Sequence, residues 1–177
     1  MNSRIKNSIR FVLFLLVQVF VLDKIMLHQM ITPYVYLVFI LWLPFSINRS
    51  SLMIVAFLLG FLLDSFRHNP GFHAAACVLT AYLRPFIINL LVSQEGTENN
   101  YDEPSVKSFG GFLPYFIYAS ILVLIHHSWL FFLEAWQFAN PYYFLIKTLS
   151  SSLLSILLLL IIELIFYRKQ KFKTNIN

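Results

Sequence analysis

Long apolar runs with almost no charge in them dominate this chain, and they leave it very few folds. Such runs extend from Ile9 to Leu22, Tyr34 to Ile47, Leu52 to Phe66, Gly71 to Val92, Phe112 to Leu133 and Tyr143 to Tyr167, with short polar turns between them. A bilayer core about 30 Å thick takes about 20 helical residues, so six passes would use most of the 177 residues. Composition agrees: 59% of the chain is hydrophobic and 12% charged, against roughly 45–50% and 25% in soluble domains. The longest polar stretch, residues 93–111, is too short for a domain of its own, which excludes a fused soluble catalytic or nucleotide-binding domain. The expected fold class is an all-α polytopic membrane protein. Residues 1–177 form one integral membrane domain, with helices at about 8–27, 34–47, 52–66, 71–92, 112–133 and 143–167.

Two of the six segments, 34–47 and 52–66, are short. At 1.5 Å per residue they cover about 21 to 23 Å, so they must borrow flanking residues, thin the bilayer or stop partway, and spanning is the expectation. Pro33 stands where a helix-starting proline would, and Pro44 ends the same segment. Pro85 lies inside the fourth segment and should kink it. No small-x-small cleavage site follows Leu22, so the first helix is expected to remain uncleaved. The loop 93–111 carries Glu95, Glu98, Asp102 and Glu103 without apolar periodicity and is expected to be mobile. Tyr34, Tyr36, Trp42, Trp129, Trp136, Tyr142, Tyr143 and Tyr167 fall near segment ends, as interfacial anchoring predicts.

The formal charge of +5 is located rather than spread: Arg4, Lys6 and Arg10 sit at one end of the chain and Arg168, Lys169, Lys171 and Lys173 at the other. Tails of this kind (1–8 and 168–177) hold helix ends at an anionic cytoplasmic leaflet, so membrane lipids and not nucleic acid are the expected contact. Both termini are then cytoplasmic, which requires an even number of crossings. Six fits, and four would fit if the two short segments formed a re-entrant hairpin. The single cysteine, Cys77, excludes an internal disulfide and a cysteine-based metal cage.

Charged groups inside membrane segments cost about 2.5 to 3.5 kcal/mol each on insertion scales, so their positions carry the most information. Gly60 and Asp64 share one helix face: the glycine lets a neighbouring helix approach, while the carboxylate seeks a partner among Arg67, His68 and His73. A ligand or partner site and an interhelical lock both fit Asp64. Arg84 lies close enough to the end of its segment to snorkel or pair. His127 and Glu134, seven apart, fall on one face, but a catalytic zinc site usually needs three protein ligands and the His-Glu-x-x-His spacing does not occur, so no metal or cofactor is expected. Ser151 and Ser155 suit close helix packing better than nucleophilic chemistry. No Walker motif or nucleophile elbow occurs, and Glu163 remains without an assigned role.

The series Phe57-Leu-Leu-Gly60-Phe-Leu-Leu-Asp64-Ser-Phe, then Pro70-Gly71-Phe-His73-Ala74-Ala75-Ala76, then Ala81-Tyr-Leu-Arg84-Pro85 resembles the rod shape-determining protein MreD family. The resemblance extends over nearly the whole chain and is most specific between Gly60 and Ala76. It implies a non-enzymatic multi-pass subunit of the bacterial inner membrane, acting in the rod complex that controls cell shape and lateral peptidoglycan synthesis. The implied partners are MreC and, with it, the MreB filament and an elongation glycosyltransferase-transpeptidase pair. It also implies an architecture similar to the substrate-binding subunits of energy-coupling-factor transporters, and hence the alternative of a small-molecule- or lipid-binding transporter subunit. The candidate residues for structure, partner or ligand are Gly60, Asp64, Gly71, His73, Arg84, His127 and Glu134. The charged pair Arg67-His68 departs from the less basic turn of many relatives.

Overall fold

The computed structural model describes residues 3–25, 31–92, 101–135 and 141–166. The basic tail 168–177, loop residues 93–100 and the expected helix ends at 26–27 and 167 lie outside the described residues. The elements in order are α1 (Ser3–Phe20), a 3-10 turn (Leu22–Lys24), α2 (Leu37–Trp42), α3 (Arg49–Arg67), α4 (Phe72–Leu91), α5 (Phe112–Ala135) and α6 (Pro141–Ile165). Five stretches, α1 with its following turn and α3 to α6, are long and apolar enough to cross a membrane. Their side chains divide as a membrane bundle requires: Ile54, Phe61, Leu90, Leu149 and Leu153 are exposed, while the polar Gln18, Thr80, Ser151 and Ser155 are buried.

Side-chain pairs across the bundle fix which helix ends lie together. At one end, here called the near end, Lys6 and Arg10 of α1 meet Glu103, Arg49 at the start of α3 lies over Tyr82 and Phe86 late in α4, and Tyr115 early in α5 bonds Glu163 late in α6. At the far end Asp23 meets Arg67 at the close of α3, and Glu134 late in α5 meets Lys147 early in α6. α3 packs on α4, α4 on α5 and α5 on α6, with α1 against α3.

The second pass is the main correction to the sequence reading. The helix expected over 34–47 is confined to Leu37–Trp42, six residues or about 9 Å. Non-helical backbone leads into it and out of it. Even so, the chain travels the length of the bundle: the Tyr34 hydroxyl meets Arg67 at the far end, and Phe45 bonds the Asp102 carbonyl at the near end. None of residues 34–43 is more than 4% exposed. A broken pass is tolerated at membrane depth only inside protein, where other groups can take its free N–H and C=O groups. This burial also corrects the interfacial role expected for Tyr34, Tyr36 and Trp42: Phe14 packs edge-on against Trp42, and Tyr34 packs against His127 and Phe131.

Residues 101–111, part of the loop expected to be mobile, fold into turns that pack against the bundle. Glu103, Ser108 and Phe109 are buried. Ser105 and Ser108 exchange backbone and hydroxyl hydrogen bonds, and the Phe109 ring lies 4.7 Å from that of Tyr118.

Candidate functional site

The intramembrane polar residues converge on two tasks. The first is the hairpin between α3 and α4. α3 opens on Asn48, whose side chain accepts the Ser51 N–H at 2.8 Å. It closes at His68 in the left-handed region, φ 56°, with the His68 and Asn69 N–H groups both turned back to the Asp64 carbonyl. α4 then starts from Gly71, φ 100°, which has no side chain to cap the free N–H groups of the next turn. Asp64 does that instead: Oδ1 accepts the His73 N–H at 3.1 Å and Oδ2 the Ala74 N–H at 2.9 Å. Its negative charge also suits the positive end of the α4 dipole. One residue thus ends one helix with its backbone and begins the next with its side chain.

His73 extends the arrangement. Its Nε2 lies 3.1 Å from Arg67 Nη1, which can only donate, so Nε2 accepts and the proton sits on Nδ1, donated to Asp64 Oδ1 at 2.9 Å. Arg67 also donates to both oxygens of Asp23, to Oδ2 at 2.7 Å, and to the Tyr34 hydroxyl at 3.2 Å. Of the three partners expected for Asp64, His73 bonds it directly, Arg67 acts through His73, and His68 is exposed in the turn. Gly60 lies where α3 and α4 touch: a Cβ there would come 2.5 Å from Ala74 Cα and 2.6 Å from His73 O.

The second task is serving the backbone of the broken pass. Gln18, a lone mid-span polar residue in the sequence, donates to the Pro33 carbonyl at 3.0 Å and accepts the Val35 N–H at 2.9 Å. Ser151 accepts from Thr32 N and Ser155 from Tyr34 N. Tyr118 donates to the Leu41 carbonyl at 3.1 Å. Arg84, 2% exposed, donates to the Leu43 carbonyl and to the Tyr118 hydroxyl. Arg84, expected either to snorkel or to pair, reaches inward to pair, because Pro44 and the open turn after α2 leave the Leu43 carbonyl without a helical partner. Each free backbone group in a lipid-like interior costs several kcal/mol, which makes these side chains conditions of the fold.

His127 joins this second set and not Glu134. Its Nδ1 donates to the Val123 carbonyl at 2.8 Å and its Nε2 accepts from Ser155 Oγ at 3.0 Å, whereas Glu134 pairs with Lys147 at 2.8 Å. Ser155 and His127 have the separation of a nucleophile and its base, but the Ser155 oxygen is already engaged by Tyr34 N–H and both side chains are buried. Ser155→Ala would strip a partner from the Tyr34 N–H and from His127 at once, an expected loss of about 2–4 kcal/mol. Thermal unfolding in detergent would show it as a lowered midpoint, with the half-buried Ser150→Ala, whose hydroxyl bonds only carbonyls of its own helix, as control; equal midpoints would refute the role.

At the near end, Glu103 takes Lys6 at 2.9 Å and Arg10 at 3.0 Å. Burial alone would raise its carboxyl, but the Lys6 hydrogen bond and the two cations outweigh it and hold the group below its ordinary value. A depressed carboxylate contributes stability above its unfolded pKa, about 4.3 for glutamate, and loses it as pH falls through the lower folded value. The clasp therefore stays closed across neutral and mildly acidic pH. Among the described residues no group of three or more His, Cys, Asp or Glu is placed to hold a metal ion. Asp23, Tyr118 and Glu103 were not singled out from sequence; a polar count per apolar segment, set against the backbone freed by Pro33 and Pro44, is the signal that points to Gln18 and Tyr118. Comparison with family models, with curated proteins and with solved structures finds no match to this chain.

Proposed function

We propose that this chain is a non-enzymatic membrane subunit of the bacterial cell-elongation complex, acting with MreC to control cell shape and lateral peptidoglycan synthesis. The observation that carries this reading is the use made of the residues behind the MreD resemblance. Gly60, Asp64, Gly71 and His73 set the geometry of the α3–α4 hairpin, and Arg84 holds the broken pass. With these five residues engaged inside the bundle, the chain offers partners its outer faces and its two ends. In this reading the bundle makes six crossings, counting the broken pass, with the near end and its basic residues in the cytoplasm of a bacterial inner membrane. MreB and the glycosyltransferase-transpeptidase pair would be reached through MreC.

The test is cross-linking in cells to a tagged copy of the chain, purification in mild detergent and mass spectrometry, with an unrelated membrane protein as control. Specific recovery of MreC and the elongation synthases is the expected result. A second reading, a small-molecule- or lipid-binding subunit with the architecture of the energy-coupling-factor substrate subunits, is favoured by the broken pass, since interrupted helices line substrate sites in transporters. Recovery of transporter ATPases without MreC would replace the first reading with the second.

A further inference from the structure

We propose that the near end holds a site for a phosphate-bearing anion, built on Arg84, Lys6 and Arg10 and closed by residues 101–111. Arg84 is 2% exposed, yet among the described residues no carboxylate lies within ion-pair distance of it. Its partners are a carbonyl and a phenol, which leave a full positive charge without a counter-ion in a setting where that is costly. It stands seven residues before the end of α4, about 10 Å along the axis, within an arginine's reach of the headgroup layer.

A strap, residues 101–111, packs against the tyrosine that this cation bonds. Phe109 lies on the rings of Tyr118 and Tyr115, at 4.7 and 5.8 Å, and Tyr118 is the residue that Arg84 bonds. The strap is fastened by Glu103 on Lys6 and Arg10 and by the Phe45 N–H on the Asp102 carbonyl. Arg10 also stacks over Trp42, whose indole N–H donates to the Tyr115 hydroxyl. Glu103 thus holds, from within the chain, the place that an anionic headgroup would take between two cations. Lifting it would bring Lys6, Arg10 and Arg84 to one opening, with two phenols beside them. Guanidinium groups bind phosphate in paired hydrogen bonds, and a lipid phosphate is the anion present at this depth. This site does not depend on which complex the protein serves.

The full chain in detergent, titrated with phosphatidylglycerol or with neutral diacylglycerol and read by native mass spectrometry, tests it. Glu103→Gln is expected to raise phosphatidylglycerol retention about fivefold, because it removes the competing carboxylate while preserving shape. Arg84→Gln is expected to lower retention to the diacylglycerol level. Unchanged retention in Glu103→Gln overturns the proposal, as does wild-type retention in a folded Arg84→Gln. If Arg84→Gln does not fold, Glu103→Gln decides alone. Displacement by inorganic phosphate would assign the site to free phosphate esters, and resistance to it would assign a lipid headgroup; either upholds the phosphate chemistry.

Discussion

Gly60→Ala is expected to cost at least about 3 kcal/mol and to lower the melting midpoint in detergent by about 6–12 °C. The added methyl would meet Ala74 Cα at 2.5 Å and Ala74 N at 2.6 Å, and both are backbone atoms that cannot rotate away. α4 would have to move off α3, and that same movement stretches the bonds from His73 N and Ala74 N to Asp64. Packing and capping would therefore fail together. Leu58→Ala on the exposed side of α3 is the control, since its side chain is 47% exposed and carries little of the interface. A midpoint for Gly60→Ala within about 2 °C of the parent, a shift worth only about 0.5–1 kcal/mol, would show that the two helices do not touch as described.

Asp64→Ala should be as damaging by a different route. It leaves the N–H groups of His73 and Ala74 and the His73 Nδ1–H without their acceptor, at about 1–3 kcal/mol for each buried group, or about 3–5 kcal/mol together once partial relaxation is allowed. Asp64→Asn keeps one carbonyl oxygen and should fall between Ala and the parent. Glu134→Ala provides the comparison: its partner Lys147 lies across a half-exposed pair, and exposed pairs contribute about 0–1 kcal/mol. The order parent, Glu134→Ala, Asp64→Asn, Asp64→Ala is expected both in melting midpoint and in steady abundance in cells. If Asp64→Ala and Glu134→Ala behaved alike, the capping role would be lost.

The long passes were legible because hydropathy over about 20 residues is a sum, and sums tolerate local error. The helices found at 49–67, 72–91, 112–135 and 141–165 depart from the expected bounds by a few residues. α1 departs further, starting at Ser3 and ending at Phe20, where the chain tightens into the 3-10 turn that carries Asp23 to Arg67. The second pass was not legible in the same way. Its apolar run reads equally well as helix or as extended chain, and what decides between them lies elsewhere: Gln18 is 17 residues from Val35, and Ser155 is 121 residues from Tyr34. The pairing of Gly60 with Asp64 on one face could be read from spacing alone. The capping of α4 by Asp64 could not, since it needs the turn through His68 and Gly71 to fold the two helices back on each other. His127 and Glu134 mislead for the opposite reason: they share a face in the helical wheel, but neighbours on α6 claim each of them separately.

The broken pass also orders events during synthesis. When residues 31–47 leave the ribosome, Gln18 has already been made, but the hydroxyls that take the Thr32 and Tyr34 N–H groups belong to a helix 119 and 121 residues later. At about 5–20 residues per second that interval is roughly 6 to 24 s. During it, the segment cannot release bare peptide groups into lipid without the full desolvation cost. It must wait in the insertion channel, in the aqueous exit path, or as a temporary helix that later unwinds. The broken pass is thus among the last parts of the described bundle to reach its final shape, and α6, the last of the described helices to be made, supplies the groups that let it settle.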